Sequence, residues 1–242
     1  MSQNKYNILV GGKSAGGKTA SLKDLLNPSG VVYLNCEAGK EVPFPDKFKK
    51  ITITNPLQIE TAFIEAEKHK NIHTIVVDTL TFLMDMYESQ KVLTAPPDAK
   101  YKAWSDYAQY FKHLMQDNVA KSTKNVIFMA HTMDVLNEGE GVMETLIKVK
   151  GSTMNQGVEA YFCNVVAAKK VPLTKLEPYK NKFLIITPED ETLGYKYVFQ
   201  TKLTKDTVNE RIRSPIGMWS IDETFIDNNA QFLLDRLHEY YN

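Results

Sequence analysis

Cysteine, net charge and long apolar runs are all scarce in this sequence. The two cysteines among 242 residues, Cys36 and Cys163, lie far apart without CxxC or Cys/His spacing, which speaks against a disulfide framework and a structural zinc site. No apolar run approaches the ~20 residues that span a bilayer, and residues 1–5 lack the apolar core of a signal peptide. A cytoplasmic protein without membrane contact is expected. The 29 Lys+Arg offset the 29 Asp+Glu, so the strongly basic balance of a dedicated nucleic-acid binder, a pI above about 9, is missing. Any polyanion would have to be held locally.

What is present is an ordinary globular composition, 43% hydrophobic and 24% charged, enough to bury a core. At this length one domain over 1–242 is expected, with a core over 5–215 and a helical segment over 216–242. The first half alternates short apolar runs with amphipathic stretches: strands at Tyr6–Val10, Val31–Asn35, Ile51–Thr54 and Ile75–Val77, and helices at Lys18–Leu26 and Pro56–His69. Continuous apolar runs of this kind belong to parallel strands buried on both faces, joined by crossover helices. Helical patterns to about Val92 and over Lys102–Lys121 follow, then a strand at Asn125–Ala130. Residues 133–151 read as a loop or hairpin. Tyr161–Val171, Phe183–Thr187 and Tyr195–Thr201 read as an antiparallel meander, and Phe225–Tyr241 as a terminal amphipathic helix. The fold class is α/β, a mostly parallel sheet with helices on both faces and an antiparallel extension.

One motif carries chemistry with high specificity. Gly12-Lys13-Ser14-Ala15-Gly16-Gly17-Lys18-Thr19 fits G-x-x-x-x-G-K-[ST] between an apolar strand and a helical pattern, the context that a phosphate-binding loop requires. Gly12, Gly16 and Gly17 would let successive N–H groups, with Ser14 and Ala15 between them, surround a phosphate. The helix expected from Lys18 would add its positive end. Lys18 can reach the terminal phosphates of ATP, and the Thr19 hydroxyl can ligate Mg²⁺. The metal also calls for a carboxylate at a strand end, and Ile75-Val76-Val77-Asp78 supplies it. Asp78 reads as the Walker B residue; it can at the same time cap the following helix.

Hydrolysis further needs a group that prepares water. Many AAA+-type motors place Glu directly after the Walker B Asp, but Thr79 stands there. Glu37 instead follows the strand Val31–Cys36, and would lie beside the phosphate loop if that strand neighbours the first. A third strand, Val126–Ala130, ends in His131, whose ring can donate to a phosphate oxygen.

This arrangement resembles the phage-encoded, core-only RecA/Rad51-like ATPases, including the group implicated in single-strand annealing and recombination. The resemblance spans about 5–215. It implies a RecA-like P-loop NTPase fold, an ATP hydrolase with ATP and Mg²⁺, Glu37 as the residue that prepares the attacking water, and His131 as γ-phosphate sensor where RecA tends to carry Gln. It also implies self-assembly into a ring or filament, with Lys202, Lys205 or Arg211 reaching a neighbour's ATP in trans; the same three residues read nearly as well as a solvated basic face. Only five residues precede the first strand, so an N-terminal exchange segment is not expected. The location would be the host-cell cytoplasm if the source is a phage.

Single-stranded DNA is the partner that the resemblance implies, on two loops near 89–100 and 133–150. The second loop carries Asp134, Glu138, Glu140 and Glu144 against Lys148 and Lys150, leaving those two lysines as candidate DNA contacts. The alternative is a nucleotide-switched regulatory or helicase-loader-type ATPase whose partner is a replication or recombination protein. A small-molecule kinase is disfavoured, because such enzymes need an Arg-rich lid and the only arginines are Arg211, Arg213 and Arg236.

Overall fold

A computed structural model describes residues 4–242, with the backbone alone at 154–156. In chain order the elements are β1 (Asn7–Gly12), β2 (Val31–Asn35), β3 (Lys49–Thr52), α1 (Gln58–Lys68), β4 (Thr74–Asp78), α2 (Leu80–Tyr87), α3 (Lys100–His113), β5 (Asn125–Asn137), β6 (Val142–Ile147), α4 (Gly151–Gln156), β7 (Asn164–Pro172), α5 (Leu173–Leu176), α6 (Pro188–Leu193), β8 (Tyr195–Gln200), β9 (Phe225–Asp227) and α7 (Ala230–Tyr241). The strands form one mixed sheet in the order β3-β2-β4-β5-β1-β7-β8-β9, with β6 paired to β5. From β3 to β7 the pairing is parallel, whereas β6, β8 and β9 pair antiparallel.

Every residue of β1, β2 and β4 is buried, because alternate side chains feed two different cores. Leu9, Leu34, Ile75, Val77 and Phe128 face a cluster completed by Phe63, Leu83 and Phe111 of α1, α2 and α3. Ile8, Val10, Tyr33, Val76 and Ile127 face the other, completed by Leu22, Leu25, Trp219 and the α7 residues Leu233, Leu234 and Leu237. The terminal helix therefore helps to close the core on that face of the sheet.

Four expectations change. The helix expected over Lys18–Leu26 is a single 3₁₀ turn, Thr19–Leu22; Asn27 turns left-handed with φ 48° just before Pro28, and the chain re-enters the sheet at once. β7 runs parallel to β1 and only β8 antiparallel to it. Residues 183–187 are not a strand: the Phe183 carbonyl accepts from Asp227 N at 2.7 Å, and the place of the third meander strand is taken by β9. The terminal helix consequently starts at Ala230, capped by the Asn229 side chain, rather than at Phe225. The acidic stretch 133–151 resolves into the β5–β6 hairpin, with Thr132 opposite Ile147.

Register fixes where chemistry can gather. Gly12 lies opposite His131 and Asn35 opposite Asp78, so the four strand ends meet along one carboxyl edge, where open α/β sheets bind ligands.

Candidate functional site

A cavity of about 580 Å³ opens on that edge, lined by Ser14–Thr19, Glu37, Lys40, His131, Tyr197 and Asn228 among others. The phosphate loop is shaped as much by packing as by any ligand. A Cβ on Gly12 would stand 2.7 Å from the Ala168 carbonyl of β7, so only glycine lets the loop lie on that strand. Gly17 has φ +90°, and a Cβ there would meet Asn228 Nδ2 at 2.6 Å. Since a 3₁₀ turn of four residues follows, the field of a long helix is missing. Anion binding falls instead to the loop amides and Lys18. Lys18 folds back over the loop, donating to the carbonyls of Gly12 at 2.9 Å and Lys13 at 3.0 Å. Burial pushes its ammonium down to about 8, a cost that phosphate charge would offset.

Asp78 sits under the loop, 1% exposed. Its Oδ2 accepts from the Thr19 hydroxyl at 2.7 Å and from the Tyr33 hydroxyl at 2.7 Å, while Oδ1 is buried without a hydrogen-bond partner. Burial raises its carboxyl above the usual range, opposed by those two hydroxyls. The helix-capping role falls away, because the Thr79 side chain caps α2. An orphaned carboxylate oxygen beside a hydroxyl whose proton is already committed suits a hard divalent cation, with phosphates and water completing the shell. Among the described residues no group of three His, Cys, Asp or Glu gathers to cage a metal by itself.

The condition set for Glu37 is not met as stated. β2 is separated from β1 by β4 and β5, yet Glu37 lines the same cavity. His131 spans the gap: its Nδ1 is 3.4 Å from Lys18 Nζ, and its Nε2 is 3.6 Å from Glu37 Oε1. A neutral ring protonated on Nε2 satisfies both, since Nδ1 then accepts from the ammonium while Nε2–H faces the carboxylate. His131 is itself held by Thr81, whose Oγ1 accepts from its backbone N at 2.9 Å, and by Phe82 packed edge-on at 5.7 Å. His131, and after it Lys40, hold the Glu37 carboxyl below its usual range.

The remaining sites divide. Lys202, Lys205 and Arg211 do not line this cavity: Lys202 points to the Trp219 carbonyl at 3.4 Å, and Arg211 pairs with Glu144 and Glu159 at 3.5 and 3.4 Å. Lys205 is exposed. Lys150 pairs with Glu88 at 2.5 Å while its side chain stays 52% exposed, whereas Lys148 is exposed without an ion-pair partner among the described residues. Tyr33, Lys40, Tyr197 and Asn228 were not legible as site residues. Asn228 donates to the Gly17 carbonyl at 2.8 Å across 211 positions, a distance no local pattern spans. Tyr33 carried one faint signal, a lone hydroxyl inside the aliphatic run Val31–Leu34.

A family model described as an AAA domain matches residues 4–168, more than half the chain, and the chain belongs to that family. It is a P-loop NTPase of the AAA type. The match ends inside β7, so Tyr197 of β8 and Asn228, which follows β9, come from beyond it. No curated protein matches the chain. No helix among the described residues is long and apolar enough to cross a membrane.

Proposed function

We propose that the protein is a Mg²⁺-dependent ATPase of RecA/Rad51-like type that binds single-stranded DNA in recombination or annealing. The observation that carries the hydrolytic part is the Lys18–His131–Glu37 chain across one cavity. It joins a phosphate-binding ammonium, a polar tip residue and a carboxylate outside the Asp78 strand. Water attacks the γ-phosphorus, its proton passes to Glu37, and the bond to the bridging oxygen breaks with the electron pair leaving on ADP. His131 senses the terminal phosphate by exchanging its contact with Lys18 for one with phosphate oxygen. Thr19 and Asp78 are the residues that would hold Mg²⁺, which would supply charge neutralisation of the phosphates.

For DNA, support rests on Lys148 at the exit of the β5–β6 hairpin and on backbone amides. ATP turnover measured with and without single-stranded DNA at several salt concentrations tests it. Stimulation that fades with salt is expected, and turnover indifferent to DNA together with no salt-dependent binding would refute it.

One observation favours a partner protein instead. The hairpin tip pairs Leu136 with Met143, 54% and 53% exposed, next to Glu138 and Glu140. An apolar tip ringed by acid suits a basic protein surface better than a polyanion. Capture of a replication or recombination protein, with no DNA affinity at low salt, would establish that reading.

A further inference from the structure

The cations around the triphosphate end of the cavity are not equivalent. Lys18 belongs to the loop itself. Lys196 is tied down by Asp190 at 2.8 Å and Asp227 at 3.4 Å, and Lys13 by Asp134 at 2.7 Å on the far side of the loop. Lys23 lines the cavity too, exposed and without an ion pair among the described residues. Lys40 differs from all of these in what it touches: it lines the cavity, its side chain is 72% exposed, and among the described residues its ion-pair partner is Glu37, at 3.1 Å from Oε2.

The turn that presents it is built with care for position. Asn35 clamps both ends, its Oδ1 accepting from Glu37 N at 2.8 Å and its Nδ2 donating to the Lys40 carbonyl at 2.8 Å. Between them Ala38 and Gly39 run left-handed, with φ 53° and 81°. The backbone at both residues is thereby fixed in one tight turn, while the exposed four-carbon stem of Lys40 stays free to swing.

We infer that Lys40 is a catalytic residue, the cation that engages the γ-phosphate in cis, and that its pairing with Glu37 is the resting state of a switch. Without nucleotide the ammonium holds one carboxylate oxygen at 3.1 Å and His131 faces the other at 3.6 Å, so an attacking water must compete with a cation for Glu37. A triphosphate offers the ammonium a more highly charged partner. Lys40 moves to it, neutralises the charge that builds on the γ-phosphate oxygens as the bridging bond breaks, and frees Glu37 Oε2 to take the water's proton. Hydrolysis would then not require a neighbour's cation, which separates this chain from the trans arrangement expected for Lys202, Lys205 or Arg211.

The inference rests on Glu37 as the water-activating residue, and the experiment keeps the two apart. Turnover by wild type, Lys40→Ala, Lys40→Arg and Glu37→Gln is compared with affinity for a fluorescent ATP analogue, over a wide range of protein concentration. Lys40→Ala is expected to lower kcat about 10²-fold while binding stays within about twofold, because ground-state affinity lies with the loop. Lys40→Arg should recover most of the rate, and wild-type turnover per subunit should be unchanged by dilution. Wild-type kcat in Lys40→Ala, or equal losses of kcat and affinity that Arg does not rescue, overturns the proposal. If Glu37→Gln is inactive while Lys40→Ala is not, only Lys40 is misassigned. If Glu37→Gln turns over normally, both assignments fall.

Discussion

The Tyr33 hydroxyl gives the sharpest test of how the Asp78 carboxylate, the proposed metal ligand, is held. Tyr33 is 3% exposed and donates to Asp78 Oδ2 at 2.7 Å. Phenylalanine at 33 keeps the ring, its volume and its stacking on Phe48 at 6.2 Å between centroids, so the change isolates one hydrogen bond. A bond to a charged group contributes about 1.5–3 kcal/mol. In a chain of 242 residues each kcal/mol shifts the melting temperature by about 2–4 °C, so a loss of 2 kcal/mol lowers it by about 4–8 °C. Asp78 would retain only the Thr19 hydroxyl, and its carboxyl, already raised by burial, would rise further. A partner that orients a metal-binding carboxylate typically changes metal affinity about 10–100-fold, so the Mg²⁺ concentration for half-maximal turnover should increase by that factor. Thermal melts without metal and a Mg²⁺ titration of turnover read the two effects separately. Unchanged melting and an unchanged Mg²⁺ midpoint in Tyr33→Phe would show that Asp78 is not held by Tyr33 and refute the reasoning.

Lys18→Ala should abolish nucleotide binding, whereas Glu37→Gln should keep ATP bound and stop at that state, both read by equilibrium binding against single-turnover hydrolysis. The depressed Lys18 ammonium has a defined pH signature in protein free of nucleotide and metal. Its folded value of about 8 lies below the ordinary 10.5, so between these limits the unfolded chain binds a proton that the folded one does not. Stability therefore rises with pH across that window. Lys18→Met should lack this component, with the two unfolding curves converging by about 3 kcal/mol; parallel curves would contradict it. Asn228→Ala removes the tie to the Gly17 carbonyl and should weaken nucleotide affinity about 3–10-fold, the equivalent of one hydrogen bond, with little change in kcat. An unaltered Kd would mean that the C-terminal segment covers the loop without shaping it.

Two kinds of information were unequally legible in the sequence. Local, high-specificity signals survived intact. Gly12–Thr19 forms the loop and Asp78 ends a buried strand, while Glu37 lies just past β2 and His131 where the buried part of β5 gives way to its hairpin arm, because continuous apolar runs announce strands and where their buried parts stop. What failed depended on competition among distant segments. Lys18–Leu26 has the pattern of a helix, but Leu22 and Leu25 are claimed by the core that α7 closes, and the left-handed Asn27 next to Pro28 stops the chain after one turn. Phe183–Thr187 has the composition of a strand, yet Phe225–Asp227 pairs with β8 instead, and only a three-dimensional comparison of the two segments could decide between them.

Strand order was the deeper omission, and it alters the chemistry. Had β2 lain next to β1, Glu37 would address the phosphate loop directly and His131 would be an independent sensor. With β4 and β5 interposed, His131 stands between Lys18 and Glu37 and touches both. In the proposed mechanism the sensor and the base then cannot respond separately: whatever draws Lys18 toward a phosphate would change what the His131 ring accepts, and so what it offers to Glu37. Substituting His131 with Gln keeps a donor and an acceptor, but places them on a more flexible side chain without the ring's rigidly opposed nitrogens. His131→Gln should therefore lower kcat more than nucleotide affinity, and combining it with Glu37→Gln should add little to the loss in Glu37→Gln alone, because residues acting as a unit are not additive. Full additivity of the two losses would show that His131 and Glu37 act independently.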